Sequence, residues 1–242
     1  MINNFEVAVW LQENSEKMLG RLGLAIISAV LLFLSFPPYA LDGLIWIALL
    51  PFFFALRGAS LRVAAGLAAC WAMACYALTL CWFLSIFSLA AVALWALLSV
   101  FSVGWVVTLV YVQRRLPRRW CPILAALCWV AWDYLRCEGW FLGFSWLQLG
   151  FTQANCLPVL QAASVIGVYG LTFIIVLVNA GLYYCLTSQD LQARPLVLGI
   201  SLGLPVVFLI TGWLSIPDGY GPPGPMVAAV QAEEGTVEAY EG

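Results

Sequence analysis

The sequence predicts an all-α polytopic membrane protein with about seven transmembrane helices, an aromatic re-entrant loop on the outer face and a short C-terminal strand. Three observations predict it. Of the 242 residues 64% are apolar and only 9% charged, with a strongly positive mean hydropathy of +0.99, whereas soluble domains carry roughly 25% charged residues. The apolar residues fall in successive runs near the length of about 20 residues that a membrane-spanning helix needs. The basic residues gather on alternate sides of those runs, as a multi-pass topology requires.

The elements follow in order. Residues 1–19 form a cytoplasmic N-terminal segment, polar enough to lie at the surface, with Trp10 and Leu11 resting on the membrane interface. Leu22–Phe36 resembles the apolar region of a signal peptide, but it ends in Ser35-Phe36-Pro37-Pro38 rather than a small-x-small cleavage site, so it reads as an uncleaved first helix. The further helices cover about Leu41–Leu56, Val63–Leu84, Leu89–Val112, Cys121–Leu135, Leu157–Leu186 and Leu196–Leu214, which places the transmembrane helical domain at 20–214. Residues 215–225 are rich in proline and glycine, a linker composition. Met226–Gln231 reads as a single strand, and the end carrying Glu233, Glu234, Glu238 and Glu241 as a solvated acidic segment.

Charge fixes an expected orientation. With the N-terminus cytoplasmic, the inner segments hold Lys17, Arg21, Arg57, Arg62, Arg114, Arg115, Arg118, Arg119 and Arg194, and the outer segments hold Arg136 alone. Basic residues collect on the cytoplasmic side of short loops, so the C-terminal tail is expected on the outer face. The four arginines flanking Pro117 read as a topology anchor with some attraction for anionic lipid, and no substrate is assigned to them. A formal net charge of −2 argues against a nucleic-acid partner, because phosphate backbones select a basic surface. The chain has no histidine, the commonest metal ligand and proton shuttle, and neither a metal nor a cofactor is expected.

Trp129–Gln153 is the stretch that apolar composition does not explain. It holds Asp133, Arg136 and Glu138, four tryptophans, and Gly139, Gly143 and Gly150. Irregular backbone at membrane depth is tolerated only when buried in protein or lining a cavity. Asp133 and Arg136 are three positions apart and share a helix face. They form either a local ion pair at the membrane border or, through Arg136, a contact to a phospholipid phosphate, for which a guanidinium is well shaped. Trp140, Phe144, Trp146 and Phe151 form either an aromatic wall for an acyl chain or the aromatic belt found at every membrane interface. Glu138 reads as a solvated loop carboxylate.

Other residues carry packing signals. Gly199 and Gly203 make a Gly-x-x-x-Gly step that permits close helix approach, though such steps recur by chance in a glycine-rich chain. Gly167, Gly170 and Gly181 place the sixth helix inside the bundle, where the amide of Asn179 needs a partner, more often another helix than a ligand. Cys70, Cys75, Cys81, Cys128 and Cys185 lie in apolar runs as small buried hydrophobes. Cys137 and Cys156 flank the central loop and are able to pair if it faces an oxidising compartment.

The pattern Asp133-x-x-Arg136, Gly139-Trp140, Gly143-Phe144-Ser145-Trp146-x-x-x-Gly150-x-x-Gln153 resembles the membrane part of the apolipoprotein N-acyltransferases. That family reads Glu-x-x-Arg-Gly-Trp, then Gly-Phe-Pro-Trp, then Gly-Tyr-Ser-Gln. Phe36-Pro37-Pro38 with Leu44–Pro51 is similar to its first helical hairpin, Gly167-Val168-Tyr169-Gly170-Leu171-Thr172-Phe173 with Asn179 to its sixth helix, and Val227–Gln231 to the strand opening its catalytic domain. Asp133 stands in place of Glu, Ser145 in place of Pro, and Ala232-Glu233-Glu234 in place of Gly-Asn-Ile.

The resemblance implies transfer of an acyl chain from a membrane phospholipid to the diacylglyceryl-cysteine of a lipoprotein. It implies an inner-membrane location and a covalent thioester on the Cys of a nitrilase-like domain, with a Glu base and a Lys. Residues 226–242 are expected to be a truncated start of that domain. None of the three catalytic residues has a matching position here, so the chain is expected to be silent alone. The resemblance makes Arg136, Asp133, Trp140, Phe144, Trp146 and Gln153 the candidate lipid- and substrate-binding residues. The alternatives are a stand-alone lipid-binding partner of a separate catalytic chain and a small transporter. The transporter is disfavoured by the lack of a repeat or of a charge in mid-span.

Overall fold

A computed structural model describes residues 4–139 and 143–216, with side chains from Glu16 onward. Trp10 and Leu11, Trp140, the linker from 217 onward, the strand expected over Met226–Gln231 and the acidic end therefore lie outside what is described. Among the described residues every regular element is helical: α1 (Asn4–Ser35), α2 (Ile45–Ala48), α3 (Leu50–Leu56), α4 (Leu61–Thr79), α5 (Phe83–Phe87), α6 (Ala90–Gln113), α7 (Cys121–Cys137), α8 (Leu157–Thr187) and α9 (Ala193–Leu214). The chain is a helical membrane protein. Among the described residues five helices are long and apolar enough to cross a membrane: α1 over Glu16–Ser35, α4, α6, α8 and α9.

The other two expected spans are shorter. α7 has 17 residues and runs through both charges, Asp133 and Arg136, to Cys137. The expected second helix is broken into the turn Asp42–Leu44, α2 and α3. Pro51 lies in the first turn of α3, and a proline has no N–H to continue a helical ladder and clashes with the preceding turn. Buried backbone groups freed by such a break need other partners. Asn179 of α8 supplies them: its Nδ2 donates to the Ile45 and Ile175 carbonyls, both at 2.9 Å, and its Oδ1 accepts from Leu49 N at 2.9 Å. Ser28 of α1 donates to the Ala48 carbonyl at 2.7 Å and accepts from Trp71 Nε1 at 3.1 Å. The partner that the Asn179 amide was expected to need is thus a neighbouring broken helix.

The first helix also begins earlier than expected. The polar segment before Gly20 continues α1 instead of lying apart from it, since it contains no proline and is rich in good helix formers. α4 ends at Thr79 rather than Leu84, and α8 is kinked at Gly167, whose φ of 66° and ψ of 179° are open to glycine but strained for other residues.

α8 and α9 meet through two glycines. A Cβ on Gly181 would lie 2.0 Å from Ser201 Oγ, and one on Gly212 only 1.8 Å from the Pro158 carbonyl oxygen. Gly199 and Gly203 face open space, so the Gly-x-x-x-Gly step makes no helix contact among the described residues. The outward side of α9 exposes Leu196, Val206, Val207, Leu209, Ile210 and Trp213, a lipid-facing surface.

The core is an aromatic cluster at the crossing of α3, α4, α6 and α7. Phe52 stacks on Trp71 with centroids 4.5 Å apart, and Trp105 meets Trp129 edge-on at 4.4 Å. Indole N–H groups in hydrocarbon need acceptors; Trp105 Nε1 donates to the Ala125 carbonyl at 3.2 Å and Trp132 Nε1 to Thr108 Oγ1 at 3.0 Å. Gly104 makes room for the Trp132 ring, which would lie 2.5 Å from a Cβ there.

Candidate functional site

α7 ends in the two charges singled out in the sequence. Both are buried, Arg136 at 3% and Asp133 at 8% exposure. Arg136 Nε donates to Asp133 Oδ1 at 3.2 Å, and Nη2 donates to the same oxygen. Arg136 Nη1 donates to the Phe144 carbonyl at 2.9 Å and to the Trp146 carbonyl at 2.6 Å. One guanidinium therefore ties the end of α7 to the loop that follows it. Asp133 Oδ2 is buried with no hydrogen-bond partner among the described residues.

That loop folds back on the bundle. Gly143 has φ of 51° and Leu147 φ of 63°. A leucine in the left-handed region is strained by roughly 1–2 kcal/mol and persists only where surrounding contacts enforce it; here the Arg136 bonds to residues 144 and 146 do so. The loop closes in a short 3₁₀ turn, Leu149–Gln153, fixed to α8 by Gly150 N donating to Thr172 Oγ1 at 3.1 Å. Gly150 is required by close approach: a Cβ there would stand 2.7 Å from the Val168 carbonyl oxygen.

Beneath the loop, between α1, α4, α6 and α7, lies a narrow cleft with a cavity of about 60 Å³, or about 620 Å³ counting the open space at its mouth. Its walls are mainly aromatic, with Trp71, Phe101, Trp105, Trp129 and Trp132, and its polar end holds Tyr76, Ser102, Asp133 and Arg136. Leu147 and Leu149 of the loop line it too.

The candidate residues are thus divided. Asp133 and Arg136 line the cleft. Phe144 offers its carbonyl to Arg136 and its ring lies 6.0 Å from the guanidinium. Trp146 is half exposed and stacks on Trp82 at 5.5 Å, which joins the loop to the α4–α5 turn. Gln153 is buried and donates through Nε2 to the Asp42 carbonyl at 3.0 Å; it joins the 3₁₀ turn to the turn before α2 and is not among the cleft-lining residues. Phe151 is half exposed and is not in the cleft wall. Glu138 is exposed, as expected of a loop carboxylate, and accepts from the Tyr169 hydroxyl at 3.4 Å. Cys137 and Cys156 are free thiols, and Cys137 Sγ accepts from Gln148 Nε2 at 3.4 Å.

The α4 and α6 side of the cleft, Trp71, Tyr76, Phe101, Ser102 and Trp105, was not singled out in the sequence. Its residues sit inside apolar runs, where a hydroxyl or indole N–H that needs a partner is the one available signal.

The model of the apolipoprotein N-acyltransferase N-terminal domain matches residues 28–181, more than half of the chain. The chain belongs to the apolipoprotein N-acyltransferase family. Its relatives agree. It is 34% identical over 171 residues to an apolipoprotein N-acyltransferase of Geobacter metallireducens, covering 66% of this chain and 32% of that protein. It is 30% identical over 164 residues to apolipoprotein N-acyltransferase 1 of Treponema denticola, covering 65% and 29%. It is 28% identical over 235 residues to the enzyme of that name in Rhodopirellula baltica, covering 86% and 40%. The chain thus spans about a third of the length of these curated relatives. The matched span runs from within α1 into α8 and includes the whole cleft and the loop above it.

Proposed function

We propose that this chain forms the membrane part of an apolipoprotein N-acyltransferase, taking a phospholipid acyl chain into the aromatic cleft and holding the donor at the loop end. The observation that carries this reading is the cleft: an apolar, aromatic-walled space that ends at a buried polar cluster matches the mostly apolar pockets with few convergent polar groups that bind such ligands. Trp71, Phe101 and Trp105 then flank the acyl chain. The Asp133–Arg136 pair positions the loop bearing Phe144, Trp146 and Trp140, and Gln153 anchors the end of that loop.

The acceptor is the lipoprotein's diacylglyceryl-cysteine. The transfer runs by two displacements through a thioester on the family's catalytic Cys, which divides one difficult step into two easier ones. The Glu, Lys and Cys of that chemistry have no matching position in these 242 residues. The chain is divided into a cytoplasmic segment at 1–19, the membrane domain at 20–214, a linker at 215–225 and the opening of a catalytic domain at 226–242. The protein lies in the inner membrane with its N-terminus cytoplasmic and its C-terminus periplasmic, and α7 and the broken α2–α3 arm serve as further crossings. Supporting this orientation, Arg21 donates to the Arg57 carbonyl at 2.9 Å, and Arg57, Arg114 and Arg118 share one cavity. These basic residues therefore stand together at the end of the bundle remote from Arg136.

The division of labour is tested by reconstituting the 242-residue chain with a phospholipid labelled in its acyl chain and a diacylglyceryl-cysteine peptide. No labelled peptide is expected. Appearance of the N-acylated peptide would place the nucleophile within this sequence and overturn the reading.

A further inference from the structure

We propose that the basic end of the bundle carries a second lipid site, in which Arg57, Arg114 and Arg118 bind the phosphate of an anionic phospholipid against the buried hydroxyl of Tyr184. The site is independent of the aromatic cleft. It sits at the start of α7 and the end of α8, whereas the cleft and its loop sit at the end of α7 and the start of α8.

The geometry is that of a converging pocket. Its cavity, about 1210 Å³ including its open mouth, receives an arginine from each of three separate elements. Arg57 ends α3, Arg114 ends α6, and Arg118 lies in the turn leading into α7. No acidic residue is among those lining it; Asp190 lines the adjoining cavity, and its Oδ1 accepts from Ala193 N at 3.0 Å at the start of α9. The turn that presents Arg57 is held, because Gly58 adopts φ of 64° and the Arg57 carbonyl accepts from Arg21. Guanidinium groups brought together repel one another, and their planar forks match phosphate oxygens.

Two further observations point to a ligand. Tyr184 is 2% exposed, and its hydroxyl is buried without a hydrogen-bond partner among the described residues. An orphaned buried hydroxyl is costly, and this one belongs to a side chain that lines both this cavity and the adjoining one, as does Arg118. Beside it, the Tyr183 hydroxyl lies within the electrostatic reach of Arg118 and Arg57. The second observation is the wall. Phe53, Leu109 and Val110 line the same cavity and offer an apolar surface that a free phosphate leaves uncovered and an acyl chain covers. Basic pockets between transmembrane helices recognise lipid headgroups in this way. A plain topology anchor requires neither convergence on a cavity nor a buried hydroxyl.

The test uses the 242-residue chain in neutral detergent, titrated with phosphatidylglycerol or phosphatidylcholine and read by native mass spectrometry. Preferential retention of phosphatidylglycerol, by about tenfold, is expected from several charge-assisted hydrogen bonds. The pair R57Q/R118Q should abolish that preference, and the charge-matched pair R62Q/R115Q, outside the cavity, should keep it. Y184F removes only the orphaned hydroxyl, so it should unfold at or above the wild-type temperature yet bind phosphatidylglycerol several-fold more weakly. Equal retention of the two lipids by the wild type, or equal loss in both arginine pairs, would overturn the proposal in favour of diffuse surface attraction. Binding of glycerol 1-phosphate as tight as that of phosphatidylglycerol would overturn the lipid assignment and leave a site for soluble phosphates.

Discussion

Arg136→Ala is expected to lower the stability of the membrane domain by about 3–5 kcal/mol, the usual cost of removing one partner from a buried ion pair. The loss has three parts. The Asp133 carboxylate is left buried without its one hydrogen-bond partner among the described residues, the Phe144 and Trp146 carbonyls lose their shared donor, and the positive-φ backbone at Leu147 loses the bonds on either side that enforce it. Thermal unfolding in detergent reads the first effect, and amide exchange over residues 143–150 reads the release of the loop. Arg136→Lys should recover part of the stability but not the loop protection. An ammonium has no planar fork with which to serve one carboxylate oxygen and two carbonyls together. An unchanged unfolding temperature with unchanged exchange in the alanine variant would show that other contacts hold the loop.

Asn179→Leu is expected to have the second largest effect. The substitution preserves apolar bulk, yet it leaves Leu49 N and the Ile45 carbonyl without the Asn179 side chain at a break in the helix. Each buried polar group left unpaired costs about 1–3 kcal/mol, so the combined loss is of the order of several kcal/mol. It should be localised, with faster amide exchange in α2 and α3 and little change in α9. Asn179→Asp retains the acceptor for Leu49 N and loses both donated bonds while adding a charge in hydrocarbon, so it should be no better tolerated. A leucine variant as stable as the parent would mean that water or backbone adjustment serves the break instead.

These two residues also show how much was legible in the sequence. The helical membrane class followed from composition, because nothing else accommodates so few charges. Asn179 and Arg136 stood out for the same reason: a polar group among apolar neighbours must be satisfied, so its presence announces a partner. For Arg136 the pairing with Asp133 was legible, but the backbone partners of both residues were not. Asn179 serves backbone more than a hundred positions away, and Arg136 serves main-chain carbonyls, which every residue possesses and none advertises. Pro51 lies inside the second expected span, Leu41–Leu56, yet only the structure shows the break there and its repair by α8 and α1. Gly199 and Gly203 are a motif of the kind that recurs by chance, with no contact behind it among the described residues, while Gly181 and Gly212 make the α8–α9 approach without forming a pattern. The aromatic side of the cleft was hidden because Trp71, Phe101 and Trp105 look like ordinary apolar content until α4 and α6 bring them together.

Acyl-chain occupancy of that cleft is the point on which the account depends. It is measured most directly with a phospholipid carrying a photoreactive diazirine near the end of one acyl chain, in nanodiscs containing the 242-residue chain, with adducts mapped by peptide mass spectrometry. The account predicts labelling at Cys75, Tyr76 and Phe101, within the cleft, in addition to the outward residues of α9. It further predicts that Ser102→Trp, which fills the cleft from α6, abolishes the cleft adducts and leaves those on α9 unchanged. Adducts confined to α9 and other outward faces, with none in the cleft, would contradict it.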